Sequence, residues 1–464
     1  MTHDVLIIGA GPGGYVAAIR ARQLGLRVGL VERAHLGGIC LNWGCIPTKA
    51  MLKGTDLLHQ AGHAERFGLM PLSPAIDPAR LIARAGEVSG QLSAGVAFLL
   101  KKNGVDLIWG AARITAPGQV EVAEGPVPAP RGASGAGVYA APHVILATGA
   151  SPRSLPGLEP DGRLVWTYMQ ALRPDRVPAS LVVVGSGAIG VEFASIYAAM
   201  GVKVTLVELA PRILPAEDAE ISGLMAKALQ KRGIAIHTGV SVARLDRGAD
   251  SLTAHLSDGT VLAADRLLSA AGVVPNVSGL GLETLGVVLS HGAVQTDGAG
   301  RTNVPGLYAI GDVAGPPMLA HKAEHEGIAC VEGIAGRAVH AKGPVPACIY
   351  ASPQVASVGL TEAMAAELGM ALRVGRFSLR GNGKALVVGE PDGLVKCLFD
   401  AATDRIVGAQ VIGAEASELI HGLTIAVSLG ATSEQLAHVV FPHPTLSEAL
   451  HEAVLAAREG AIHA

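Results

Sequence analysis

The chain has 464 residues, enough for roughly two to four domains. Lysine and arginine number 36 against 39 aspartate and glutamate. The resulting charge of −3 gives no general electrostatic reason to bind nucleic acid or an anionic membrane. Half of the residues are hydrophobic and 60 are glycine without a G-X-Y period, which excludes wholesale disorder and collagen.

The first expected element is the apolar run Val5–Ile8, suited to a central parallel strand. The residues before it lack the basic n-region of a secretory signal, so a cytoplasmic protein is expected. Gly9, Gly11 and Gly14 follow in G-x-G-x-x-G spacing. Helical apolar spacing then runs over Tyr15–Leu24, and a second strand over Arg27–Val31 ends at Glu32. The first glycine permits a tight turn, the second lets backbone approach a pyrophosphate, and the third lets helix and strand pack closely. Glu32 stands near the distance, about 20 residues on, where a ribose-binding acid is expected.

Next come Cys40 and Cys45 in GGICLNWGCIPTKAML, residues 37–52. The chain has five cysteines, an odd and sparse set that does not form a secreted disulfide framework. Zinc normally needs four ligands, and no second Cys/His cluster accompanies this pair, so redox work is favoured and no metal is expected. A bent segment could bring the two sulfurs together, whereas one regular helix could not. Pro47 and Thr48 suit a helix starting just past Cys45; a helix N-terminus, with Lys49 nearby, favours a thiolate. A helical insert is expected near 48–102. The Pro/Gly/Ala-rich stretch 123–140 reads as an elaborated surface hairpin or loop with no assigned role.

A second unit repeats the first. Leu181–Val184 reads as a strand, followed by Gly185, Gly187 and Gly190, a helix over Val191–Met200, and a strand over Val202–Val207 ending at Glu208. The apolar stretch Leu181–Val202 is long enough to span a bilayer, but Glu192 at its middle and the glycines favour a strand-turn-helix. A carboxylate suits two ribose hydroxyls and repels a 2′-phosphate, so Glu208 favours NAD over NADP, with Arg212 close by. Two dinucleotide sites suggest a flavin and a nicotinamide exchanging hydride. A strand over Leu307–Ile310 ends in Gly311-Asp312, a small residue and a carboxylate suited to a cofactor's ribityl or phosphate region. Leu394–Phe399 and Ile406–Ile412 read as strands and Glu415–Leu429 as a helix. His443 and Glu448 lie five apart, as a base and an orienting acid could. Cys330, Cys348 and Cys397 read as buried small hydrophobes. His321 and His325 sit at helical spacing without a third ligand, and Trp43 is expected to pack.

Taken together, GAGPGGY at 9–15, GGICLNWGCIPTKAML at 37–52, ATGA at 147–150 and GSGAIGVEFAS at 185–195 resemble the pyridine nucleotide–disulfide oxidoreductase family over essentially the whole chain. The segments TNVPGLYAIGDVAGPPMLAHKAEHEGI at 302–328 and HPTLSEA at 443–449 resemble its lipoamide branch, class I. The resemblance implies an α/β fold of two Rossmann-like domains, for FAD and NAD, and a C-terminal α+β dimerisation domain. The expected division is 1–148 for FAD, 149–272 for NAD, 273–345 returning to the flavin and 346–464 at the interface.

The resemblance also implies roles. Gly9, Gly11, Gly14 and Glu32 would hold FAD, with Thr148, Gly149, Gly311 and Asp312. Gly185, Gly187, Gly190 and Glu208 would hold NAD. Cys40 and Cys45 would form the active disulfide, Cys40 exchanging with substrate and Cys45 lying against the flavin. Lys49 and Glu192 would stand near the flavin edge and nicotinamide. His443, oriented by Glu448, would be the base, supplied across a homodimer. The implied reaction is oxidation of a dihydrolipoyl group on a lipoyl-bearing protein with reduction of NAD⁺. Glutathione reduction is opposed by Glu208, mercuric reduction by the absence of a C-terminal cysteine pair, and a non-catalytic scaffold by the full set of site residues. Two positions depart from the family pattern: Phe441 stands where relatives carry a second histidine, and Val273 and Val274 stand where relatives often carry arginines.

Overall fold

The computed structural model describes residues 3–70, 74–339 and 343–463. The chain forms two compact units, one from Met1–Ala50, Ile82–Arg153 and Val273–Lys342, the other from Met51–Leu81, Ser154–Gly272 and Gly343–Ala464.

In chain order the first elements are β1 (Val5–Ile8), α1 (Pro12–Gln23), β2 (Val28–Glu32), α2 (Gly38–Trp43), α3 (Cys45–Ala61) and α4 (Pro78–Lys102). Then come β3 (Asp106–Trp109), β4 (Ala111–Ala116), β5 (Gln119–Ala123), β6 (Gly137–Ala140) and β7 (His143–Leu146). The expected helical insert over 48–102 is thus α3 and α4, residues 71–73 lying outside the described residues, as do Met1 and Thr2. In the first unit, a parallel sheet runs in the order Leu307–Ala309, β7, β1, β2, β3. β1 and β2 are buried along their whole length, as near-continuous apolar runs covered on both faces must be. One face packs on α1 and the helix Ala320–Ile334 through Val5, Ile7, Leu30 and Cys330. The other carries Leu6, Ile8, Val31 and Ile108 against the antiparallel meander β4-β5-β6. The stretch 123–140 belongs to that meander: β5 and β6 pair antiparallel, and the residues between them are the surface loop expected from composition.

The second unit repeats the arrangement with Ser180–Val184 at the centre of a five-stranded parallel sheet, followed by the helix Ala188–Ala199 and the strand Lys203–Glu208. Leu181–Val202 is therefore a strand-turn-helix, and no helix of the described residues is long and apolar enough to cross a membrane. The C-terminal part of the unit is an antiparallel sheet of Ala347–Ile349, Gln354–Gly359, Ile406–Gly413, Leu394–Asp400 and Leu372–Ser378. Helices Ala416–Leu429 and Glu448–Ala456 cover it.

Lys396 lies in that sheet with its side chain 2% exposed. Its ammonium meets Asp218 at 2.8 Å, Glu220 at 3.1 Å and the carboxylate of Glu362. Asp218 caps the helix Ala219–Lys231 by accepting from the Glu220 amide. Cys330 and Cys397 are buried, while Cys348 is only half-buried at the edge of the C-terminal core, short of the burial expected for all three.

Candidate active site

Each parallel sheet presents one glycine loop at the carboxyl end of its central strand. Gly9 has φ +106°, and a Cβ there would lie 2.3 Å from the Ala147 carbonyl oxygen. A Cβ on Gly14 would fall 1.8 Å from the Gly9 carbonyl oxygen, so only glycine lets α1 start this close to β1. Gly11 caps α1, and its Cβ would meet nothing nearer than Gly38 Cα at 4.0 Å. This is the open approach that a pyrophosphate needs to reach the amides of the first helical turn. Pro12 occupies the first helical position, where no amide hydrogen is needed.

Glu32 ends β2 in a buried position. Its Oε2 accepts from the Ala10 amide at 2.8 Å, and its Oε1 accepts from the amides of Arg33, Ala34 and His35 at 2.9, 2.8 and 3.2 Å. The carboxylate thus pins the glycine loop to the end of β2. Oε2 keeps a lone pair for a ribose hydroxyl, because a carboxylate has about four acceptor sites, two on each oxygen.

The second loop follows the same pattern. Gly185 has φ +99°, a Cβ on Gly190 would sit 1.9 Å from the Gly185 carbonyl oxygen, and Gly187 faces open space. Glu208 Oε2 accepts from the Ser186 amide at 2.8 Å and from its hydroxyl at 2.6 Å, while Oε1 accepts from the Ala210 amide at 2.8 Å. Arg212 donates to the Pro215 carbonyl at 3.1 Å and toward that of Glu217. Glu192, on the following helix, is 3% exposed and accepts from the Tyr350 amide at 3.0 Å.

Gly311 and Asp312 form a 3₁₀ turn just past the strand Leu307–Ala309. The turn is held from the helix Ala320–Ile334. Glu326 accepts from the Gly311 amide at 2.7 Å, and Lys322 donates to the carbonyls of Gly311 and Gly315 at 3.0 and 2.8 Å. Burial raises the Asp312 carboxyl above its ordinary value, against the pull of Lys322. Thr148 and Gly149 are fixed by Asn276. The Thr148 hydroxyl donates to the Asn276 carbonyl, the Asn276 amide nitrogens donate to the carbonyls of Thr148 and Gly149, and Ser151 donates to Asn276 Oδ1. Val273 and Val274 pair with Pro152 and Ser151 in a short antiparallel ladder beside this knot.

The cysteines occupy a helical segment broken at Gly44, an irregularity of the kind that could bring the two sulfurs together. α2 carries Cys40 and ends at Gly44, and α3 begins at Cys45 itself, two residues earlier than Pro47 suggested. Asn42 stabilises the short helix by donating to the carbonyls of Leu36 and Gly38. Both cysteines are half-buried thiols whose side chains hydrogen-bond. That bond pushes the Cys40 thiol far up; burial, the Cys45 charge and Glu324 add to it, and Lys49 opposes it. The raised Cys40 thiol favours its protonated form, and Cys45 opens a 17-residue helix, whose N-terminus favours a thiolate. Trp43 packs edge-on to His35 at 6.1 Å.

In the other unit, His443 Nδ1 meets Glu448 Oε1 at 2.9 Å, and Glu448 Oε2 accepts from the Thr445 amide at 2.9 Å. The Thr445 amide, and then His443, hold the Glu448 carboxyl below its ordinary value. A carboxylate on Nδ1 leaves Nε2 as the nitrogen that can take a proton. Phe441 stacks on His451 at 5.1 Å, and His451 Nε2 hydrogen-bonds the Ala437 carbonyl at 3.0 Å. His321 and His325 flank Glu324 on one helix, and the described residues hold no cluster of three or more potential metal ligands.

The profile of the pyridine nucleotide-disulphide oxidoreductases matches residues 3–327, and the dimerisation domain of the same proteins matches residues 345–454. The chain belongs to this family. It is 56% identical to a dihydrolipoyl dehydrogenase of Rhizobium etli, covering 98% of each chain, and 48% identical to one of Zymomonas mobilis, covering 99% of each. Among solved structures it is similar to LpdA of Mycobacterium tuberculosis, with a TM-score of 0.89, 30% identity, and 98% and 99% of the two chains covered. It is also similar to an HOCl-induced flavoprotein disulfide reductase, RclA, of Escherichia coli, with a TM-score of 0.85 and 27% identity.

Within the family fold, sequence reasoning passed over Lys322, Glu326 and Asn276, which hold the turns that the motifs mark. The spacing of Lys322 and Glu326, one helical turn apart, was the available signal.

Proposed function

We propose that the chain is a dihydrolipoyl dehydrogenase using FAD and NAD, oxidising dihydrolipoyl groups through the Cys40–Cys45 pair and reducing NAD⁺. The observation that carries this reading is the hydrogen-bonded cysteine pair, split between two helices and set in the same unit as the first glycine loop. Full-length relatives named for that activity support it. Gly9, Gly11, Gly14, Glu32, Thr148, Gly149, Gly311 and Asp312 would hold FAD, with Lys49 beside the cysteines. Gly185, Gly187, Gly190, Glu192 and Glu208 would hold NAD. The open approaches at Gly11 and Gly187 and the acceptor sites left on Glu32 and Glu208 fit dinucleotides. Bound FAD supplies a two-electron relay between a dithiol and a nicotinamide.

The protein's own steps follow from its thiols. His443 takes a proton from one substrate thiol. The resulting thiolate attacks the Cys40 sulfur of the oxidised pair, forming a mixed disulfide and releasing Cys45 as thiolate. The second substrate thiol attacks the substrate sulfur of that mixed disulfide, closing the lipoyl ring and leaving Cys40 as a thiol. Cys40's raised affinity for its proton, and Cys45's place at a helix start, suit these two endings.

The division at 1–148, 149–272, 273–345 and 346–464, the homodimer, the lipoyl-bearing protein partner and a cytoplasmic setting belong to the same reading. The matched dimerisation domain and the sparse cysteines support it. The test is reduction of NAD⁺ by dihydrolipoamide on FAD-loaded protein, with NADP⁺ alongside. Turnover with NAD⁺ is expected; none, in protein whose flavin NADH still reduces, overturns the lipoyl assignment.

A further inference from the structure

The loop 124–136 between β5 and β6 has no part in the steps above, yet it is tied down at several points. β5 returns antiparallel to β4 until Ala123 stands opposite Ala111, so the loop starts at the carboxyl end of β3. That end is in register with the end of β2, Trp109 pairing with Glu32, and Gly110 donates to the Glu32 carbonyl at 2.9 Å. Ligands of an open parallel sheet lie outside the carboxyl ends of its strands, so an adenosine whose ribose meets Glu32 lies beside this loop.

Four contacts bind the loop there. Gly125 rests on the residue after Glu32: a Cβ added to it would come within 2.6 Å of the Arg33 carbonyl oxygen. The buried Trp109 indole donates to the Val127 carbonyl at 3.0 Å. The Trp109 amide donates to the Ser134 carbonyl at 2.7 Å, and the Ser134 amide to the Leu107 carbonyl at 2.9 Å. Ser134 thereby extends the sheet by one parallel bridge past β3, opposite Ile108. Between these anchors Pro126, Pro128 and Pro130 alternate, all exposed, and fix three backbone φ angles in advance. Hairpin loops commonly have about two to five residues, and a much longer ordered one calls for a purpose.

We infer that the loop 124–136 is a stiffened outer wall of the FAD site, holding the adenosine end of the cofactor. This rests on the reading of the first glycine loop as the FAD site. A wall ordered before binding leaves less freedom to be lost on binding and slows escape of the bound group.

Apoprotein and holoprotein of two variants test it. One replaces residues 125–135 by Asn-Gly; the other is Pro126→Gly, Pro128→Gly and Pro130→Gly together, which keeps every anchor. FAD release is followed by recovery of flavin fluorescence, ADP binding to apoprotein by calorimetry, and folding by the Tm of the apoprotein. ADP carries the adenosine end alone. The shortened loop is expected to release FAD and to weaken ADP binding by about tenfold or more, and the triple variant by about threefold. Unchanged FAD release and ADP affinity in the triple variant, or in a shortened variant whose apoprotein Tm matches the parent, overturn the inference. So does a lowered apoprotein Tm with parental ADP affinity, which would make the loop a brace of the meander. Dihydrolipoamide turnover plays no part in these readouts, so a negative result leaves the enzyme assignment standing.

Discussion

His443 is exposed over 79% of its side chain, and its Nδ1 meets the carboxylate of Glu448. Such a ring relies on that partner for its orientation. His443→Gln should slow reduction of the cysteine pair by dihydrolipoamide by about a hundredfold or more while leaving flavin reduction by NADH near the parental rate. Stopped-flow measurement of the two half-reactions checks this, and equal slowing of both removes the assigned role. Glu448→Gln loses the charge and turns one of the two acceptor oxygens into a donor, facing the Thr445 amide or His443 Nδ1, so a loss of about tenfold is expected in the same half-reaction. The Glu448 carboxyl lies below its ordinary value of 4.5, so the group is ionised at every working pH and its support of the ring fails only on acidification below that range. Phe441 is the residue where this loop leaves the family pattern. Stacked on His451, it secures the chain between the helix Ser433–Ala437 and His443.

Two kinds of feature differ in how far sequence reveals them at the scale of elements. The glycine loops, the acids that end their second strands and the bend between the cysteines were legible because each is local: turn, approach and packing demands fall within one strand-turn-helix. The two loops also allow a paired test. Gly190→Ala would force a Cβ to 1.9 Å from the Gly185 carbonyl oxygen, so NAD⁺ affinity should be lost with FAD content unchanged; Gly187→Ala meets open space and should raise KM for NAD⁺ without harming the fold. The buried bonds of Lys396 and Asn276 were not legible. A lone lysine or asparagine is expected at the surface, and only tertiary pairing decides otherwise. Lys396 is the clearest case. Burial opposes ionisation of Asp218 and Glu220, yet hydrogen bonds from Lys396 and, for Glu220, Arg376 hold both carboxyls below their ordinary values. Depressed carboxyl values stabilise the fold above the unfolded-state range of 3.8–4.5, and that support is lost as pH falls through the folded values. Lys396→Met should cost about 3–5 kcal/mol by leaving the buried Asp218 carboxylate without its cation, while Glu220 and Glu362 keep Arg376. In urea titrations the variant should also show a smaller fall in stability below pH 4 than the parent.

For the whole molecule, the placing of catalytic groups on different chains is a matter of assembly. If His443 serves the cysteines of a second copy, mixing Cys45→Ser protein with His443→Gln protein under conditions of subunit exchange should restore activity. Random pairing gives about a quarter of the parental rate, because half of the dimers are hybrids and each has one intact site. No recovery, with hybrids demonstrated by native mass spectrometry, would place His443 and the cysteines on the same chain. The two deeply buried thiols offer a different view of the same molecule. Burial pushes both Cys330 and Cys397 up to about 12, and the two lie in the cores of different units. The thiolate is the species that attacks a thiol reagent, so neither can react until its own surroundings open. Labelling rates at Cys330 and Cys397, read by peptide mass, would then act as two clocks. Each would time the breathing of one unit, and their ratio would show whether the FAD-side and interface-side cores open together or apart.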